Sequence, residues 1–141
     1  MNSIREQILQ ATETRVRATI APIPLHRHPT VPVDREGSPA VVMIAEGDAI
    51  SSYANGRVDR TLTVRCVALA RGATAFDVAD QLIVAVHSAL MTDANLSGLV
   101  LAVREIDCEW ESEDVDAGVV AIPARYEIRY RTHAHDLTLP G

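Results

Sequence analysis

The chain contains no lysine: all 13 of its basic residues are arginine. They form no run, and the net charge is −6 with a pI near 5.3. Sequence-independent binding of nucleic acid needs clustered basic side chains to neutralise phosphates, so composition argues against that class. Long apolar runs are also missing: none approaches the roughly 20 residues that a membrane-crossing helix requires. The opening Met1-Asn2-Ser3-Ile4-Arg5-Glu6-Gln7 lacks the basic start and apolar centre of a signal peptide, and a cytoplasmic address is expected. Aromatic residues make up only 4% of the chain, which leaves Val, Ile, Leu and Ala to build the core. Only two cysteines occur, Cys66 and Cys108, each at an apolar position of a predicted strand, where a buried reduced thiol is expected over a disulfide. Gly47, Gly56, Gly72 and Gly98 are dispersed and form neither a phosphate-binding loop nor a dinucleotide fingerprint. Ser51, Ser52 and Ser88 lack the Gly-x-Ser-x-Gly context of a nucleophile.

What is present is a folding pattern. The 141 residues, 48% hydrophobic and 23% charged, fit one globular domain spanning 1–141. Its most legible stretch is Arg60 to Met91. Leu62, Val64, Cys66 and Ala68 alternate with Thr61, Thr63 and Arg65, the period of a strand. After Arg71-Gly72-Ala73, Thr74 stands three residues before Asp77 as an N-cap with an acidic first turn. Phe76, Ala79, Ile83, Val86 and Leu90 then recur at helical spacing, widened by Leu82 and Ala89. A second amphipathic helix is predicted over Ser3 to Thr19, with Ser3 and Glu6 as a capping box.

Five of the seven prolines fall in 21–39, which therefore reads as a long extended connection with at most a short edge strand. A loop of that length points to a partner-contacting segment. The apolar run Ala40 to Ala45 predicts a buried strand, Glu46-Gly47-Asp48 a turn or bulge, and Asn55-Gly56 a hairpin into the strand ending at Ala70. Further on, Leu99, Leu101 and Val103 are odd-numbered, whereas Ile106, Cys108 and Trp110 are even-numbered. A bulge near Arg104 or Glu105 would reconcile them, or the strand begins only there. The polar turn 113–118 leads into a last strand, Val119 to Thr132. Ala124, Tyr126, Ile128 and Tyr130 share one face of it, and Arg125, Glu127, Arg129 and Arg131 the other. The acidic set Glu105, Asp107, Glu109 and Glu111 would then lie across from a largely basic ladder. The expected fold is α+β: one two-layer domain with a mostly antiparallel four-stranded sheet and two main helices, in the order α-β-β-α-β-β, closing on a flexible tail at 133–141.

Chemistry is harder to find. His26 with His28, and His133 with His135, are the histidine clusters, but no carboxylate or cysteine set is tied to either by a metal-ligand spacing, so solvated loop histidines are expected. The acidic run Glu105 to Asp116 lacks the spacing and fixed glycine of a calcium loop. His87 with Asp77 or Asp80 is the best set that an enzymatic reading offers, on a helix face that solvation explains equally well. No catalytic residue, cofactor or metal is assigned.

The layout and local wording resemble the tail terminator proteins of long-tailed bacteriophages, the group that includes the lambda tail protein U and is also described as minor tail or tail completion proteins. The matching features run along nearly the whole chain: the N-terminal helix, the link through Pro22, Pro24 and Pro29, Val41-Val42 followed by Glu46-Gly47-Asp48, and Arg60-Thr61-Leu62-Thr63-Val64. They continue through the helix Ala75 to Leu90, Leu96-Ser97-Gly98-Leu99, and the closing Arg125-Tyr126-Glu127-Ile128-Arg129-Tyr130-Arg131-Thr132. The resemblance implies a subunit of a ring, typically a hexamer, that caps the tail tube, stops its growth and offers its other side to a head-completion or neck protein. DNA would be only passing cargo, and the protein would reside in the host cytoplasm during assembly and then in the virion tail. Ring contacts are expected from segment 21–39 and from Arg125, Arg129, Arg131, Glu105, Asp107 and Glu109. Charge reversal of the three arginines should weaken assembly and leave the subunit folded. A head–tail connector ring, and a small oligomeric enzyme with a ferredoxin-like sheet, are the alternative readings.

Overall fold

The computed structural model of the protein describes residues 1–28, 38–92, 96–108 and 119–141. Helix α1 covers Ile4–Ile20 and starts at Ser3, whose hydroxyl accepts from the Glu6 N–H at 3.1 Å. That bond satisfies one of the donors left open at a helix start. The reciprocal half of the capping box does not form, because Glu6 turns to Arg27 and accepts from both terminal guanidinium nitrogens at 2.7 and 2.6 Å. Ile4, Ile8, Leu9, Val16 and Ile20 make the buried stripe.

Arg27 belongs to β1, Leu25–Arg27, which runs parallel to the start of β2, Ala40–Ala54. Here the expected four-stranded sheet becomes five-stranded. The proline-rich segment leaves four consecutive residues with backbone donors between Pro24 and Pro29, enough for a short strand, and it sits at the sheet edge, where neighbouring prolines cost least. The Val41 N–H donates to the Pro24 carbonyl and the His28 N–H to that of Met43, each at 3.0 Å, locking the pairing at both ends.

Strand β2 turns into β3, Arg57–Arg71, at Asn55-Gly56, both with positive φ (53° and 76°). A two-residue hairpin turn whose twist matches its strands needs that conformation, and Asn-Gly supplies it at low steric cost. Helix α2, Ala75–Met91, then crosses back over the sheet, burying Ala75, Ala79, Leu82, Val86, Ala89 and Leu90. Phe76, expected on that stripe, is 59% exposed. It lies about 100° around the helix from Ala75, and the small Ala75 takes the inward place. Thr74 is the N-cap residue, but its side chain makes no capping bond.

Strands β4, Ala102–Cys108, and β5, Val119–His133, complete a sheet of order β1-β2-β3-β5-β4, antiparallel except for the β1–β2 pair. Both helices pack on one face. Beneath them, Leu62, Val64, Cys66 and Ala68 of β3 and Ile122, Ala124, Tyr126, Ile128 and Tyr130 of β5 form the centre of the core. Cys66 and Cys108 both lie opposite Ala124, on either side of it, so the thiols sit two strand spacings apart, roughly 10 Å. That separation forbids a disulfide, and both are free. Burial pushes the Cys66 thiol up to about 12.

Residues 134–141, read from sequence as part of a flexible tail, hydrogen-bond back to the domain. Ala134 N–H reaches the Gly56 carbonyl at the hairpin tip, the Leu137 carbonyl accepts from Ile4, and Gly141 N–H reaches Arg131. No helix among the described residues is long and apolar enough to cross a membrane.

Candidate assembly surface

Strand parity divides the side chains between two faces, and two bulges decide which charged groups go where. In β2 the pairing with β3 slips between Ala45 and Gly47. Glu46 and Asp48, two residues apart, would share a face in a regular strand. The bulge sends them apart: Glu46 meets Arg65 and Arg125, while Asp48 lies on the helix side opposite Leu62. There Asp48 accepts from the Tyr130 hydroxyl and, at 3.3 Å, from Arg5 at the start of α1. Burial and the neighbouring Asp48 carboxylate hold the Tyr130 phenol well above its usual range.

The second bulge is in β4, between Glu105 and Asp107, one position beyond where sequence placed it. Ile106 is the extra residue and is 37% exposed. Glu105 therefore stays in phase with Val103, opposite Tyr126 on the helix side, whereas Asp107 lies opposite Arg125 on the other. The expected acidic ladder is thus split. Glu105 instead contacts His87 of α2 at 3.1 Å, and His87 Nδ1 also lies 2.9 Å from the Tyr126 hydroxyl. The carboxylate that sequence reasoning would pair with His87, on α2 itself, is replaced by one from the sheet edge.

Among the described residues no helix covers the opposite face of the sheet. One end of it is apolar, with Val42, Ile44, Val67 and Leu69 buried or half-buried. The other is a lattice of ion pairs. Arg125 bonds Asp107 at 2.8 Å and Glu46 at 3.3 Å, Arg104 bonds Glu127 at 2.6 Å, and Arg131 grips Asp59 with two guanidinium nitrogens. The Arg131 hydrogen bonds, with a smaller contribution from Ser52, hold the Asp59 carboxyl below its usual range. Pairing with Asp107 and Glu46 raises Arg125 in turn.

Of the residues expected to make contacts, Arg125, Arg129, Arg131 and Asp107 come together on this face, and Glu105 does not. Glu109 lies outside the described residues, as do 29–37 of the proline-rich segment and the turn 113–118. Sequence reasoning missed Glu46, Asp59, Arg65 and Arg104 as members of the lattice. Asp59 shares the odd parity of β3 and could have been found by extending the alternation that already set Arg65 on this face. Glu46 could not, because its face depends on the bulge. Arg129 differs from its neighbours: it is exposed and makes no ion pair with any described residue. No three His, Cys, Asp or Glu side chains among the described residues are arranged to hold a metal ion.

No protein-family model and no curated protein matches the chain. Among solved structures, a chain of the virion of a native gene transfer agent (GTA) particle is similar: 14% identity, TM-score 0.61, with 90% of each chain covered. The protein shares the fold of that virion chain over nearly its whole length.

Proposed function

We propose that the protein is a non-enzymatic structural subunit of a phage-type virion, acting as a tail terminator. Its copies close into a hexameric ring that caps the tail tube, blocks addition of further tube subunits and presents its other side to a head-completion or neck protein. The observation that carries this reading is the ion-paired sheet face left without a helix, on a domain whose fold matches a virion chain over 90% of its length. A small subunit with an uncovered, geometrically ordered charged face is suited to repeated protein contacts. Heterologous contacts of that kind generate rings when their rotation closes. With each copy at −6, the ring as a whole is acidic, which lets DNA pass without being held.

The test is a tube-assembly reaction with purified tail tube protein and graded amounts of this chain. Arrested growth, with this protein at one tube end by immuno-electron microscopy, is expected. Unaltered tube growth combined with binding to DNA-filled heads would replace the terminator with a neck ring. Neither binding would remove both.

A further inference from the structure

The ring reading leaves open which surfaces meet, and the charge distribution answers that. Both free sheet edges are poor for pairing: β2 carries register shifts at Glu46 and Ser51 beyond its short contact with β1, and β4 carries the Ile106 bulge between charged residues. Bulged, charged edges resist strand addition, so copies meet through faces. On the uncovered sheet face, Glu46, Asp59, Asp107 and Glu127 each have an arginine partner already. Arg129, near the middle of the charged end, and Arg57, at the hairpin, form no ion pair with a described carboxylate, although Asp59, held by Arg131, still feels the Arg129 charge. This is a cationic spot on an anionic protein.

The complementary surface is the outer side of α2. That helix has no Lys or Arg, while Asp77, Asp80 and Gln81 are exposed and Val84 is 61% exposed beside them. The sizes agree: 17 helical residues span about 25 Å, and Arg57 to Arg65 of β3 about 27 Å. The helix side and the uncovered sheet side belong to different layers of the domain, so a contact between them is head-to-tail. We propose that Arg57 and Arg129 of one copy dock on the acidic outer side of α2 of the next, with Arg129 facing Asp80 or Asp77. This rests on the ring reading and specifies its interface.

The test is a charge swap read by sedimentation velocity and native mass spectrometry over a concentration series. R129E and D80R, both at exposed positions, should each raise the concentration needed for assembly about tenfold or more, with circular dichroism and Tm unchanged. The double variant R129E/D80R should recover most of the loss, because the reversed charges again face each other between copies. Single variants that assemble like the parent, or a double variant no better than the worse single, would overturn the interface while leaving tube arrest to judge the function. A fall in monomer Tm with assembly unaffected would also overturn it, assigning Arg129 to a contact within its own chain. A parent chain monomeric at every concentration would show that this contact does not hold copies together.

Discussion

At the scale of single residues, Glu6 and Asp59 join elements through arginine, whereas Asp48 is held nearly buried. Glu6 is exposed enough to be a surface residue, yet its bidentate pair with Arg27 fastens α1 to the edge strand. The Arg27 hydrogen bonds pull its carboxyl below the usual 4.5. A carboxyl depressed in the folded state contributes stability that is complete above its unfolded value and is lost as pH falls through the folded one. Asp59, depressed by Arg131, follows the same sign. Thermal melts should therefore hold a plateau above about pH 5 and fall below about pH 4. E6Q and D59N should each lower the plateau and flatten the acid limb. A limb as steep in the double variant as in the parent would mean other groups carry it. Asp48 is a different case: it is nearly buried, and one of its oxygens has no hydrogen-bond partner. Y130F removes its hydroxyl donor and should cost about 1–3 kcal/mol in urea unfolding. A loss under about 0.5 kcal/mol would show that Arg5 suffices.

At the scale of elements, the alternation of β3, the stripe of α2, the Asn-Gly hairpin and the last strand were all legible because each is a regular period or a residue with one preferred conformation. What escaped was set by tertiary context. Three residues between prolines became a strand only because β2 offered an edge. Phe76 fits a helical stripe on paper, but the face was fixed by where the chain leaves Gly72, whose φ is 96°. The bulges decided the faces of Glu46, Asp48, Glu105 and Asp107, and alternation cannot locate a bulge to the residue, though the change of parity offered one in β4 as one of two explanations. Because Ile106 is the unpaired extra residue, deleting it should preserve the Arg125–Asp107 pairing. We expect a change in unfolding free energy within about 1 kcal/mol, with increased nonspecific association through the straightened edge. A deletion that unfolds the domain would mean that the bulge shapes the strand as well as guarding it.

At the scale of the molecule, residue periodicity signalled an α+β protein with two helices, and the fold is shared with a virion chain. The ring, its order and its partners are proposals that the uncovered sheet face motivates. Reversing Arg125, Arg129 and Arg131 together tests them poorly, since Arg125 and Arg131 hold the subunit's own carboxylates. Arg129 alone separates assembly from folding. If the docking onto α2 is electrostatic, raising salt from about 0.05 to 0.5 M should weaken assembly of the parent, and more than that of a variant whose acidic residues on α2 are neutralised.

The lack of lysine has a consequence for how the uncovered face responds to pH. Every cationic partner on the uncovered face is a guanidinium, which keeps its charge far beyond the pH at which ammonium groups lose theirs. The lattice can therefore be discharged from one side only, through its carboxylates. It is a one-way fastener within the subunit: alkaline surroundings leave it closed, and acid opens it where Asp59 lets go of Arg131.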